Sequence, residues 1–214
     1  MIIALGGSDG VGKTTIMSRF VAKLNEQGYL VHAVGRWDIV DNPAYPSTRF
    51  LKSDIRDLRN CVAAMPPLPR LTFLLWTMHM ALTPYNAEHD RTIVVIDGYW
   101  MKHAASEIAY GVDENYVAAL TGRLPRADIT FLLDAPLDEL YKRKSGDLVP
   151  YECAMDPACS RENFILHQSK IRNTLSRWAR THDWIPIDVA RPVELIVLDL
   201  IEAINPLHRA AYGE

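Results

Sequence analysis

Several things are scarce in this chain, and each scarcity excludes something. Of 214 residues only three are cysteine: Cys61, Cys153 and Cys159. That is too few for a disulfide scaffold. The C-x5-C spacing of the last two, with His167 further along, matches no common zinc pattern, so reduced thiols are expected and no metal–thiolate centre. There is no basic excess, since 23 Lys and Arg stand against 26 Asp and Glu for a formal net charge of −3. A nucleic-acid partner is therefore not expected, and any phosphate recognition has to be local. The most apolar later stretch, residues 71–82 (LTFLLWTMHMAL), contains His79 and is about half the length that spans a bilayer. Residues 1–5 are apolar, but Gly6, Gly7 and Asp9 follow without a basic flank, which does not read as a signal peptide. No internal repeat or low-complexity linker divides the chain. One soluble, cytoplasmic domain over 1–214 with no membrane contact is the expectation.

What the chain does have is alternation. Short apolar runs at 2–5, 29–34, 92–96, 129–133 and 184–187 read as strands. Between them lie helix-like segments near 13–27, 48–61, 100–110, 114–123, 137–144, 161–181 and 193–204, and an apolar helix starting near Arg70, after the chain-breaking Pro66, Pro67 and Pro69. Runs apolar on both faces belong in a parallel sheet covered by helices. The expected fold class is therefore α/β: three layers, with a five-stranded parallel sheet flanked by helices. Ligands in such sheets bind at the carboxyl ends of strands, where Gly6, Asp97, Asp134 and Asp188 fall.

Directly behind the first strand stands LGGSDGVGKTT, residues 5–15. It contains Gly7-x4-Gly12-Lys13-Thr14, the phosphate-loop (P-loop) spacing. Glycines let successive N–H groups turn inward around an anion, and the following helix adds its positive end. A nucleoside triphosphate is the expected ligand, cradled by Gly7, Asp9, Gly10, Val11, Gly12, Lys13, Thr14 and Thr15. In this chemistry the lysine reaches the β- and γ-phosphates and the threonine hydroxyl binds Mg²⁺.

Further segments resemble the thymidylate kinase family of nucleoside monophosphate kinases. GSDGVGKTT resembles that family's P-loop, including Asp9. VVIDGYW (94–100) resembles its strand ending in Asp-Arg. RADITFLLDAPLDELYKR (126–143) resembles its Pro-Asp-x-Thr strand and the arginine that follows. PIDVARPVELI (186–196) resembles the terminal loop that lies along adenine. The resemblance implies the P-loop kinase fold with a short lid near 144–161, and ATP and Mg²⁺ as cofactors. It implies Mg²⁺ held through Thr14 and Asp97, and adenine flanked by Arg143, Ala190, Arg191 and Pro192. Because the P-loop carries no base besides Lys13, it implies a transfer cation from the lid, with Arg143, Lys144 and Arg161 as candidates. Lys13, Asp97, Arg143 and Arg161 are thus the expected catalytic residues.

The acceptor side departs from the family's pattern. The arginine of Asp-Arg is Gly98 here, Arg-Glu-Pro is Arg36-Trp37-Asp38, and the apolar helix offers Leu75-Trp76-Thr77-Met78 with no basic residue. Asp9, Arg36, Trp37, Arg70, Trp76, Tyr99 and Trp100 are the expected acceptor residues, with Arg49 and Lys102 as other possible replacements for the lost clamp. Thymidylate is expected to be a poor substrate, and Gly98→Arg to raise its turnover modestly. Two alternatives stay open: a kinase of a nucleoside or other hydroxyl compound, and a nucleotide-dependent switch without turnover. The apolar helix carries Leu71, Phe73, Leu74, Leu75, Trp76, Met78 and Met80 around more than one face. A helix apolar all round is buried on more than one side, and in the resembled family this region packs across a two-fold axis, so a homodimer is expected.

Overall fold

The computed structural model describes residues 1–85 and 92–212, with side chains to residue 207. Among these residues five strands form one parallel sheet: β1 (Ile2–Gly6), β2 (Val31–Val34), β3 (Ile93–Asp97), β4 (Ile129–Asp134) and β5 (Ile185–Asp188), in the order β2-β3-β1-β4-β5. The described helices are α1 (Lys13–Glu26), α2 (Ile55–Ala64), α3 (Pro67–Leu82), α4 (Trp100–Ala109), α5 (Glu114–Thr121), α6 (Leu137–Lys144), α7 (Arg161–Thr181) and α8 (Val193–Tyr212). No helix among the described residues is long and apolar enough to cross a membrane.

The period-2 alternation of strand side chains divides the core in two. Ile3, Leu5, Phe131 and Leu133 face one way, onto Phe20 and Leu24 of α1 and Leu200 and Ile201 of α8. Ala4, Val94, Ile96 and Leu132 face the other, onto Leu71 and Leu75 of α3, Ala104 and Ala105 of α4, and Leu175 and Trp178 of α7. Helix, sheet and helix make the three layers, as the apolar strand runs imply.

The chain leaves β1 toward β2 on one side and later crosses to β4 on the other, so the loops after β1 and β3 part around a crevice at the sheet's carboxyl edge. Leu5 pairs with Asp97, and the Gly98 N–H donates to the Leu5 carbonyl at 3.1 Å. The first strand's phosphate loop and the third strand's terminal aspartate are thus side by side by register.

Several boundaries differ from the sequence expectation: the last helix, expected over 193–204, is Val193–Tyr212, and two further elements differ for a plain physical reason. The helix expected over 48–61 is a 3₁₀ turn at Pro46–Thr48 followed by α2, which starts late because the Asp54 carboxylate accepts from the N–H groups of Arg56 and Asp57 and sets the cap there. Conversely, α3 starts at Pro67, ahead of Arg70. Pro66, Pro67 and Pro69 occupy its cap and first turn, where no intrahelical N–H is needed, so they begin the helix instead of breaking it.

Candidate active site

The phosphate loop follows from steric limits. Gly7 has φ +145°, and a Cβ there would lie 2.5 Å from the Leu133 carbonyl oxygen, so no other residue fits between β1 and β4. Gly12 precedes α1 in the left-handed region, and no side chain caps the helix, whereas Asp54, Asp113 and Ser160 cap α2, α5 and α7. First-turn N–H groups of α1 are thus left for an anion. Lys13 Nζ donates to the Gly7 and Ser8 carbonyls, both at 2.9 Å. The Thr14 hydroxyl donates to Asp97 Oδ2 at 2.7 Å. An uncapped helix start, an inward lysine and two adjoining hard oxygen ligands fit a triphosphate and a Mg²⁺ ion. Val11 contributes backbone only, since its side chain is buried in the core. Of the other strand-end carboxylates, Asp134 binds Arg172 at 2.7 Å and Asp188 accepts from the Ala190 N–H, which leaves Asp97 at the crevice.

A cavity of ≈ 1660 Å³ runs from this loop along the carboxyl edge of the sheet. Asp9, Lys13, Thr14 and Asp97 line its P-loop end; Arg36, Trp37, Arg59, Lys102, His103, Tyr151 and Glu152 are among the residues that line the rest. The Arg36 guanidinium lies 5.2 Å from the centre of the Trp37 ring. Arg36 Nε, Trp37 Nε1 and His103 Nδ1 are buried and have no hydrogen-bond partner among the described residues. Three unsatisfied polar atoms on one wall are costly unless a ligand completes them.

The electrostatics are concentrated around Asp9. Its carboxylate meets Lys102 Nζ at 2.9 Å and accepts from Gln168 Nε2 at 3.3 Å, while its own N–H donates to Gln168 Oε1. Burial alone would raise the Asp9 pKa; the Lys102 and Lys13 charges overcome it and hold the carboxyl at about 2. Burial pushes Lys13 down to about 8 against the attraction of Asp9. Burial, then Arg36, Lys102 and Lys13, drives His103 well below the ordinary imidazole range, so it is neutral at neutral pH.

The structure corrects several expectations about the acceptor side. Arg70 is 1% exposed, and Glu107 takes its Nε and Nη2 at 2.7 and 2.9 Å, while the Ala63 and Met65 carbonyls take Nη1. It walls the cavity with its donors already spent. Trp76 packs on Phe50 and Phe73, away from the cavity. Tyr99 is buried with its hydroxyl on the Pro125 carbonyl, and Trp100 packs between Trp178 and Trp184. These aromatics belong to the core, because α4 turns that face of its first turn toward α7. Gly98 sits at φ +59°, and a Cβ there would lie 3.5 Å from Lys13 Cε and 3.9 Å from Arg36 Nη1. An arginine at 98 would be strained by that φ and would start beside two cations, which argues against the expected gain from Gly98→Arg.

Other expected residues are only partly gathered. Arg143 lines the cavity and donates to the Val189 carbonyl at 3.1 Å, beside the turn of Ala190, Arg191 and Pro192. That turn stands outside the cavity wall, with Arg191 on Asp199 at 2.5 Å. Arg161 is ion-paired with Asp138 and does not line the cavity. Lys144 is held by Glu152 at 2.6 Å. Lys102, His103, Gln168 and Tyr151 carry no sequence motif. The one signal was a Lys-His pair inside an otherwise apolar helix start, WMKHAAS.

No family model matches the chain. Curated proteins do. A protein named probable thymidylate kinase from Sulfurisphaera tokodaii is 25% identical over 206 residues, covering 96% of this chain and 96% of that protein. One of the same name from Methanothermobacter thermautotrophicus is 26% identical over 209 residues, covering 96% and 95%. Another from Archaeoglobus fulgidus is 27% identical over 157 residues, covering 71% and 74%.

Proposed function

We propose, from the premise that this chain belongs to the thymidylate kinase family and is an ATP-dependent kinase, that it transfers the γ-phosphoryl group of ATP·Mg²⁺ to a nucleoside monophosphate or a related acceptor for which thymidylate is a poor substitute. One observation carries the reading: the uncapped α1 start with Lys13, and the Thr14–Asp97 pair, open into the same cavity as the unsatisfied Arg36–Trp37–His103 wall. Bound ATP·Mg²⁺ supplies the phosphoryl group and a metal charge that neutralises it. Lys13 and the loop N–H groups would hold the phosphates, and Thr14 and Asp97 the metal. Arg143 with the Ala190–Arg191–Pro192 turn would flank the adenine.

On the acceptor side, Arg36 reaches to the place where the family's clamp arginine would start. It is the residue we assign to the acceptor's phosphate, with Trp37 and His103 facing the remainder. A phosphate oxygen is already ionised and needs no general base. A hydroxyl acceptor would need one, and a useful base titrates near the working pH. Asp9 at about 2 and a strongly depressed His103 are both poor bases, so a hydroxyl acceptor would have to use Asp97 or Glu152, whose pKa burial and the Asp9 charge raise. We also propose a homodimer through the outer face of α3.

The test is ADP release across thymidylate, deoxyuridylate and the four ribonucleoside monophosphates, with free nucleosides and a no-acceptor control. We expect at least one monophosphate to be turned over and thymidylate to stay below a kcat/KM of about 10⁴ M⁻¹s⁻¹, the low end for enzymes. Acceptor-dependent ADP release with nucleosides alone would favour the hydroxyl alternative. Efficient thymidylate turnover would show that the missing arginines are dispensable.

A further inference from the structure

Phosphoryl transfer needs positive charge on the oxygens of the moving group. In this chain the P-loop has one cation, Lys13, and residues 145–160 (SGDLVPYECAMDPACS) contain no lysine or arginine. The residues this segment turns to the cavity are Asp147, Val149, Tyr151 and Glu152, so its charged contribution there is acidic. The bases at its ends are more exposed or turned aside: Lys144 pairs with Glu152 at the cavity wall and is less buried than Lys102, Arg143 donates to the Val189 carbonyl, and Arg161 pairs with Asp138 outside the cavity.

A cation does reach this region from another element. Lys102 rises from the first turn of α4, is 5% exposed, and ends 2.9 Å from Asp9 Oδ2 with its Nζ 5.1 Å from the centre of the Tyr151 ring. It lines the same cavity as Lys13 and Arg36. Lys13, Arg36, Lys102 and Lys144 therefore gather around the carboxylates of Asp9 and Glu152, beside the point where donor and acceptor phosphates would meet. The crowding is felt: after burial, Arg36 and Lys102 are the leading charges that lower His103. Such an arrangement holds surplus positive charge out of water until anions enter.

We infer that Lys102 is the transfer cation of this enzyme, taking from α4 the role that a lid arginine would otherwise play. Asp9 holds the ammonium in place before substrates arrive. On its flexible stem Lys102 then turns from Asp9 to the non-bridging oxygens of the γ-phosphoryl group. It donates N–H bonds there while the bond from phosphorus to the ADP oxygen breaks, its electron pair leaving with ADP, and the bond to the acceptor's phosphate oxygen forms. The ammonium keeps its protons throughout. Arg36, lying toward Gly98, is left to the acceptor.

The inference rests on the kinase reading, so its test has an arm independent of turnover. Lys102→Met should lower kcat by about 10² or more, leaving KM for ATP within about threefold; Lys102→Arg should recover part of the loss. Because Lys102→Met strands Asp9 as a buried charge, Asp9→Asn/Lys102→Met serves as a second, charge-neutral variant and should be folded by near-UV circular dichroism and equally slow. Independently, ³¹P NMR of bound β,γ-imido-ATP should show a displaced γ-resonance in the variants with the α-resonance unmoved. A folded variant with kcat within about threefold of wild type, or one that raises only the acceptor KM, overturns the assignment. If wild type turns over none of the monophosphates, the monophosphate kinase reading falls, and an unchanged γ-resonance then overturns the Lys102 contact separately.

Discussion

Lys13 illustrates how a single side chain in this site is poised. Its internal partners are two carbonyls of its own loop, which water can replace. Lys13→Ala should therefore not lower the thermal midpoint, and should raise it at neutral pH, while lowering kcat by about 10² or more. Its titration adds a sharper test. The folded pKa of about 8 lies below the ordinary 10.5, with burial as the main cause. A depressed lysine costs the free protein stability below pH 8, and that cost shrinks as pH rises from 8 toward 10.5. Phosphates prefer the ammonium, so ADP affinity should fall above pH 8, approaching about tenfold per pH unit, with proton uptake on binding. Calorimetry in buffers of different ionisation enthalpy measures both. Flat affinity from pH 7 to 9.5 would rule the shift out. Gly98 gives a residue-scale prediction of opposite sign to the one its sequence context suggests. With φ at +59°, Gly98→Arg should destabilise the protein by about 1 kcal/mol and leave thymidylate turnover no better, as chemical denaturation and the coupled assay would show.

At the scale of elements, α3 and α4 are joined by the Arg70–Glu107 pair, which Tyr151 Oη also reaches at 2.8 Å and the Tyr110 and Tyr151 rings cover from 5.0 and 4.6 Å. Arg70→Met would leave Glu107 buried without its partner, at a cost of about 3–5 kcal/mol. The change should appear in the urea midpoint. An Arg70→Met protein of normal stability but weakened acceptor binding would return Arg70 to the acceptor. This pair also shows why half the site was legible in the sequence and half was not. The donor end lies within nine consecutive residues, Gly7 to Thr15, plus Asp97 at a strand end, and both follow from local sterics and strand register. The proposed acceptor end is assembled from the loop after β2, α2, α4 and the segment before α7, and nothing local tells an arginine like Arg36, with an unsatisfied Nε, from one like Arg70, with all three guanidinium nitrogens paired. The aromatic residues were misread for the same reason. Tyr99 and Trp100 follow Asp97 in the chain, yet the first turn of α4 rotates them into the core while Lys102 and His103 take the cavity side.

For the whole molecule the open question with the plainest measurement is assembly. The core face of α3 holds Leu71, Leu74, Leu75 and Met78; its outer side holds the half-buried Phe73 and Trp76, with Phe50 tilted against Trp76 and 67% exposed. An exposed aromatic joined to two half-buried ones is the kind of patch that marks an interaction surface. Sedimentation equilibrium should give about twice the chain mass of 24.2 kDa, and Phe50→Glu should shift it toward one. A wild-type monomer at micromolar concentration would refute the dimer.

The strand order has a consequence in time. Ile2 must wait for Val94, and Ile3 for Ile129, before the central strand has either neighbour. At cellular rates of synthesis that interval is on the order of ten seconds. The α1 residues Phe20 and Leu24 stay uncovered longer still, until Leu200 and Ile201 of α8 have emerged. During that interval the phosphate loop has no wall to stand on, and the apolar first strand is open to the wrong company. A nascent chain of this protein should therefore bind no nucleotide until most of it has been made, and should depend on whatever shelters its first thirty or so residues at the ribosome.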